Sequence, residues 1–221
     1  KKKGVRKIHQ LRIIGLLEAD LNTALKIFGR EMAHKMEDSG NLSDEQWGSR
    51  KNRSSIDAAL IKLLTFECAR CKKATIGGVF YDCVACFDRM TPSMSNIEAR
   101  KRNVDSSILH ARAEIIKGLE RKVRTGLGIS ETHYCDTAGE PPMGGEVQGK
   151  ADVPTLWLAT SSTMLHVHAK MAPGLELKSC TGERSIKRHN ICYVDDNDGQ
   201  VSALMASPDP LEEVITKLRQ S

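Results

Sequence analysis

Aromatic residues are scarce in this sequence of 221 residues, which contains two Trp, three Tyr and four Phe. No apolar run approaches the roughly 20 residues that a membrane-spanning helix needs. The basic N-terminus lacks the apolar segment that would follow it in a secretory signal peptide, and the chain has no Gly-rich phosphate loop of the Walker type. We therefore expect an intracellular protein, in the nucleus or cytoplasm, that is not secreted and has no membrane partner.

Acidic residues are missing from the first 17 positions, where lysine and arginine together occur six times, and the first acid is Glu18. This segment is either a solvated chain end or an arm that contacts phosphates, as the net charge of +5 would allow. Seven cysteines without a secretion signal indicate reduced thiols. The chain starts without Met, and we expect it to be a piece of a longer protein.

Helical and strand-like patterns alternate irregularly along the chain, which predicts an α+β fold rather than a doubly wound repeat. The predicted helices are residues 11–38 with Asp20 as N-cap, Ser55 to about Lys73, Pro92 to about Arg124 with a break near Asn103, Pro154–His168, and Pro210–Arg219. The predicted strands are Thr75–Tyr81, expected to be buried, Leu175–Lys178, and Lys187–Val194.

Acidic residues follow two of these predicted strands. Asp195 and Asp196 come after an apolar lead-in and before turn-forming residues, and Asp82 comes directly after Thr75–Tyr81. A two-metal site needs carboxylates from separate strands that hold two cations about 3.5–4 Å apart. An acid at a strand end and an acid pair on a turn predict that arrangement, and with it phosphoryl transfer.

Five segments, in order, give the chain its resemblance to the fingers and palm of a reverse transcriptase of the non-LTR retrotransposon and group II intron type. The palm motifs are Asp82 to Asp88 with its Phe87-Asp88 pair, Gln148-Gly149 ahead of Pro154, and Tyr193-Val194-Asp195-Asp196. The weaker fingers matches are Arg12–Leu17, and Gln46-Trp47-Gly48 followed by Arg53-Ser54 and Asp57. The likeness extends from about Arg12 to Leu218.

The resemblance implies an α+β polymerase palm, with an antiparallel sheet backed by helices, plus partial fingers and no thumb. It implies partial fingers over residues 1–73 and a palm over 74–221, within one reverse transcriptase domain fragment of about 11–221. The implied reaction is RNA-directed DNA synthesis, with an RNA template, a DNA primer and deoxynucleoside triphosphates as partners.

The resemblance also implies a role for each matched residue. Asp82 and Asp195 would hold two Mg²⁺ ions, with Asp196 assisting and Mn²⁺ as a substitute metal. In the nucleotide-binding part, Phe87 would exclude the ribose 2′-hydroxyl, Gln148 and Gly149 would line the incoming nucleotide, and Arg12 would contact its phosphates or the template.

The chain departs from the family pattern at several positions. Gly144 stands where many relatives have Arg, Ile13 replaces Pro, and Val153 replaces Ser. The family continues with apolar residues after the acid pair, whereas residues 197–200 here are Asn-Asp-Gly-Gln. This polar segment argues against a returning hairpin strand and adds a negative charge beside the expected metal site.

Three other interpretations stay open on the sequence alone. A decayed element would keep nucleic-acid binding without catalysis. A viral RNA-dependent RNA polymerase palm would share the acidic motifs, although Tyr193 and Phe87 argue against it. A zinc module could use two Cys-x-x-Cys pairs, Cys68 with Cys71 and Cys83 with Cys86. The first pair lies inside a helical pattern and the second inside the Asp82–Asp88 motif, and both placements disfavour zinc.

Overall fold

A computed structural model of the chain describes residues 14–83, 86–119, 121–131, 145–146, 148–179, 181–203 and 209–219. The described helices are α1 (Ala19–Asp38), α2 (Ser55–Lys72), α3 (Cys86–Arg89), α4 (Pro92–Arg100), α5 (Ser106–Lys117), α6 (Val153–Met171) and α7 (Pro210–Arg219). The described strands are β1 (Thr75–Asp82), β2 (Arg124–Thr125), β3 (Gly128–Ile129), β4 (Leu175–Lys178), β5 (Ser185–Arg188), β6 (Asn190–Tyr193) and β7 (Asp196–Ala203). None of these helices is long and apolar enough to span a membrane.

The predicted α+β class is confirmed, because helices and small antiparallel sheets both occur. The chain divides into two compact units, each built from two stretches of sequence. Residues 1–35 and 85–156 form the first unit, and residues 36–84 and 157–221 form the second. The division into fingers and palm at residue 73 stays a prediction.

The second unit contains a three-stranded antiparallel sheet in the order β1-β7-β6. Helix α7 packs on one face of the sheet, where Val201 of β7 and Val214 are buried and the half-buried Leu218 packs against them. Helix α2 packs on the opposite face, where Lys62 lies 4.3 Å above the ring of Phe80. Side chains alternate along a strand, so each face of the sheet has its own helix.

Helix α2 starts where the sequence supplies a capping box. Ser54 accepts a hydrogen bond from the Asp57 backbone, and the Asp57 carboxylate accepts one from the Ser54 backbone. The buried side chains of this helix are small or polar, including Ala58 and Thr65, whereas Ile56 is 76% exposed. The helix therefore packs through its small residues and leaves apolar residues on the surface.

In the described part of the first unit, the only strands are the two of the short β2–β3 hairpin, and the other elements are helices. Two hydrogen bonds connect α1 to the start of α6: the Ala151 N–H donates to Asn22 Oδ1 (3.1 Å), and the Thr155 hydroxyl donates to the Gly29 carbonyl (3.3 Å). The predicted break near Asn103 is confirmed, because α4 ends at Arg100 and Asn103 has a left-handed φ of 61°.

The predicted start of the first helix was wrong. Residues 14–18 are not helical, α1 begins at Ala19, and Asp20 lies within its first turn rather than at the N-cap. The Gly15 N–H donates to the carbonyl of Gln148 at 2.7 Å. A long-range backbone hydrogen bond thus replaces the helical bond that the apolar spacing predicted.

Three strand predictions also need correction. Strand β1 is exposed over five of its eight residues, because it lies at the edge of the sheet. The predicted strand 187–194 is divided at His189, whose N–H donates to Glu45 and whose carbonyl accepts from Gln200. The returning strand that the polar segment argued against is present as β7.

Candidate functional site

The acidic residues of two matched motifs meet at one end of the β1-β7-β6 sheet. Asp82, the last residue of β1, is the cross-strand partner of Asp196, the first residue of β7. Asp196 also pairs with Tyr193, so Val194 and Asp195 form the turn between β6 and β7. Directly opposite residues in a sheet have Cβ atoms about 4.5–5.5 Å apart, which brings two carboxylates within reach of one cation.

Asp195 faces a different cavity from the other two aspartates. Asp82 and Asp196 line a cavity of about 500 Å³ together with residues of α2. Asp195 lines a smaller cavity of about 200 Å³, together with Cys83 and Trp157. The Cys83 N–H donates to the Asp195 carbonyl at 3.4 Å, so the end of β1 and the turn are joined through the backbone.

Two cysteines near the acids have thiol pKa values above the ordinary value. Burial raises the pKa of Cys83, and the charges of Asp195 and Asp82 raise it further. Burial raises the pKa of Cys192 to about 12.

The polar segment that departs from the family pattern has its own polar partners. Asp198 is buried and forms a 2.7 Å salt bridge with Lys62 of α2. Asn197 donates to the Tyr81 hydroxyl at 2.9 Å, and Gln200 donates to Asp198 at 3.3 Å. Strand β7 can carry polar side chains because its neighbours pair with them, and the extra negative charge of Asp198 is offset by Lys62.

One of the weaker fingers matches lies against the acidic turn. The Trp47 N–H donates to the Cys192 carbonyl, and the Cys192 N–H donates to the Glu45 carbonyl, both at 2.8 Å. Gln46 and Cys192 form an isolated parallel bridge between them. Gln46 belongs to a matched motif, but the sequence alone assigns it no role. Its neighbours are identified only by contacts with residues distant in sequence, such as Cys192, which lies 146 positions further along the chain.

The nucleotide-binding residues predicted from the second palm motif lie in the first unit. Gln148 accepts the hydrogen bond from Gly15, so the Gln-Gly motif contacts the Arg12–Leu17 segment through its backbone. Gly149 has a φ of 112°, and a Cβ there would lie 2.4 Å from the Gly15 carbonyl oxygen. Only glycine fits such a position.

The remaining predicted nucleotide contacts are Phe87 and Arg12. Phe87 is half-buried in the short helix α3 of the first unit. Arg12 lies outside the described residues, as does Gly144, one of the departures from the family pattern.

A buried charge cluster, not predicted from the sequence, holds the chain on both sides of Gln148-Gly149. The Arg112 side chain is fully buried and donates to Glu146 at 2.6 Å and to Asp152. Lys150 forms a salt bridge with the second oxygen of Glu146. Helix α5 therefore fixes both ends of the segment from 146 to 152.

Oxygen donors at the acidic turn fit a hard cation such as Mg²⁺, whose sites use one or two carboxylates completed by water and phosphate. Within the described ranges no group of three or more His, Cys, Asp or Glu side chains gathers on one point. The aspartates therefore offer oxygen donors without a closed cage of protein ligands.

No protein-family model matches the chain, and no curated protein matches it either.

Proposed function

We propose that this chain is part of an RNA-directed DNA polymerase, with the β1-β7-β6 sheet as the core of its palm and the three aspartates as its metal-binding residues. The observation that carries the proposal is the register pairing of Asp82 with Asp196, although 114 positions separate them in the sequence. The pairing brings carboxylates from two separate strands to one end of the sheet, beside the turn that carries Asp195, and two-metal phosphoryl transfer needs acids from separate strands.

The electrostatics of the sheet end favour a bound cation. Asp82 and Asp196 are exposed and face each other, and neither forms a salt bridge with another residue in the described part of the chain. Two carboxylates at this separation repel each other unless a cation lies between them. Asp82, Asp195 and Asp196 would hold the metals, which when bound activate the primer 3′-hydroxyl and stabilise charge on the transferring phosphate.

The first unit supports the nucleotide-binding part of the proposal through its backbone. Gly15 and Gln148 belong to two motifs matched independently, and they are hydrogen-bonded to each other. Gln148 is half-buried and precedes Gly149, whose φ is left-handed. We assign Gln148 and Gly149 to the incoming nucleotide, with Phe87 next to its sugar and Arg12 next to its phosphates or the template.

Primer extension tests this function directly. With Mg²⁺ or Mn²⁺, we expect the protein, in the longest natural form that contains this chain, to extend a DNA primer on an RNA template using deoxynucleotides. Labelled primer and gel resolution of single additions measure the reaction. Chelation of the metal should stop it, because the aspartates would lose the cations that offset their charges.

The same assay separates the alternatives. An RNA-dependent RNA polymerase would prefer ribonucleotides and an RNA primer. A catalytically decayed protein would bind nucleic acid with an affinity that falls steeply with salt, yet yield no extended product under any of these conditions. Either result would overturn the proposal.

A second prediction concerns sugar discrimination by Phe87. Phe87→Ala is expected to raise ribonucleotide incorporation relative to deoxyribonucleotide incorporation by about tenfold or more, because removing a bulky ring makes room for a 2′-hydroxyl. Competition between the two nucleotides at one template position measures this ratio. Phe28→Ala removes another half-buried ring from the first unit and serves as the matched control. An equal ratio in both variants would rule out this role for Phe87.

A further inference from the structure

Gln46 places its buried side-chain amide against the acidic turn. The side chain is 1% exposed, and its amide oxygen accepts from the N–H groups of Val194 (3.1 Å) and Gly48 (2.9 Å). Its amide nitrogen donates to the Val194 carbonyl (3.2 Å) and the Ser161 hydroxyl (3.0 Å), and it also contacts Cys192 Sγ at 3.2 Å. One side chain thus binds both backbone polar groups of Val194.

Val194 needs such support because its conformation is unfavourable. It has a φ of 59° in the turn between β6 and β7. A β-branched residue in the left-handed region is a conformational outlier that persists only when surrounding contacts impose it. The position of Asp195, the next residue, depends on this backbone conformation.

Two further residues hold the same turn. The Trp157 indole N–H donates to the Val194 carbonyl at 2.7 Å. Gly48 packs so closely that a Cβ there would lie 2.5 Å from the Val194 nitrogen. The Gln46 amide, the Trp157 indole and the Gly48 backbone therefore surround Val194 from outside its own hairpin.

We propose that Gln46 is a positioning residue that fixes Val194 in its left-handed conformation and thereby sets where Asp195 and Asp196 lie relative to Asp82. Its hydrogen bonds to Val194 join groups of the chain itself, so the conformation of the turn is fixed by contacts within the protein. Its catalytic consequence rests on the function proposed above. A preformed turn avoids reorganising the metal ligands during reaction, which is how preorganised sites gain rate.

Gln46→Met tests the inference, because methionine fills a similar volume without hydrogen-bonding both Val194 groups. We expect amide hydrogen exchange at Val194 to become about tenfold faster, as the loss of a buried acceptor predicts. We expect kcat for primer extension to fall about a hundredfold, since small misplacement of reacting groups has effects of that size. The KM for primer–template should stay within about twofold, because the Gln46 side chain is buried against the turn and is not accessible to a nucleic acid.

Thr65→Val is the matched control. Thr65 is equally buried in the same unit, but its hydroxyl bonds only to Ile61 within α2. The Thr65→Val variant should be less stable than wild type, with amide hydrogen exchange at Val194 and kcat unchanged. Trp157→Phe removes the other side-chain N–H that donates to the Val194 carbonyl. It serves as the test of turn positioning if Gln46→Met does not fold. It should also speed amide exchange at Val194 and lower kcat.

The two proposals can fail separately. If the wild-type protein never extends a primer, the polymerase function fails, and exchange at Val194 still decides whether Gln46 fixes the turn. If the wild type extends primers and Gln46→Met does so with unchanged kcat, the positioning role is overturned and the function stands. Whether or not the wild type extends primers, the positioning role is overturned if amide exchange at Val194 is unchanged in both Gln46→Met and Trp157→Phe.

Discussion

Asp195→Asn is expected to lower the rate of primer extension by at least about a thousandfold while leaving the fold intact. The substitution keeps the shape of the side chain and removes its negative charge. Metal ions contribute several kcal/mol of charge stabilisation in the transition state, and each 1.36 kcal/mol corresponds to a factor of ten in rate. Single-turnover extension with saturating deoxynucleotide measures the chemical step without contributions from product release.

Asp88→Asn is the control for this experiment. Asp88 is an exposed carboxylate in α3, within the same motif as Asp82 but without an assigned metal. Its extension rate should stay within about twofold of wild type, and circular dichroism should show all variants equally folded. Asp196→Asn completes the set: because Asp196 lies opposite Asp82 at the end of the sheet, its loss should also lower the extension rate well below that of Asp88→Asn. Wild-type activity in Asp195→Asn would refute the metal-dependent mechanism.

Arg112→Met is expected to lower the free energy of unfolding by about 3–5 kcal/mol, or to prevent folding. The arginine is fully buried, and its removal would leave the buried carboxylates of Glu146 and Asp152 with Lys150 as the remaining positive partner. Breaking a buried ion pair from one side costs this much because the remaining charge has lost its water and its partner. Urea denaturation followed by circular dichroism measures the change.

Lys117→Met is its matched control, because Lys117 lies five residues further along the same helix and forms an exposed salt bridge with Glu114. Exposed pairs contribute about 0–1 kcal/mol, so this variant should unfold close to wild type. If Arg112→Met and Lys117→Met lowered the free energy of unfolding equally, the buried charge cluster around Gln148-Gly149 would not be a major source of stability.

The ends of several elements could be predicted from local signals. Helix α7 begins at Pro210 and ends at Arg219 as its apolar spacing predicts, and β4 covers the predicted residues. The returning strand β7 could not be predicted, because its polar residues become acceptable only through partners elsewhere, such as Lys62 for Asp198. A sequence pattern indicates the environment that a residue type usually has. It does not identify the partner that a distant helix supplies.

In the candidate site, too, some features could be predicted from the sequence and others could not. Because Asp82 and Asp195 each follow a strand-like run, convergence of the acids at a sheet end could be expected from the order of the motifs. The roles of Gln46 and Arg112 could not, since both depend on contacts that close only in the folded chain. A buried arginine or glutamine is also contrary to expectation for its residue type, which is usually exposed.

The edge position of β1 has a consequence for how this protein behaves at high concentration. In the described part of the chain β1 has a hydrogen-bonded strand on one side only, and residues 75–81 contain neither a charge nor a proline. An uncharged strand edge can pair with another extended chain, so we expect intermolecular strand pairing at high concentration to begin at β1. The strand that carries Asp82 is therefore also where we expect self-association to start.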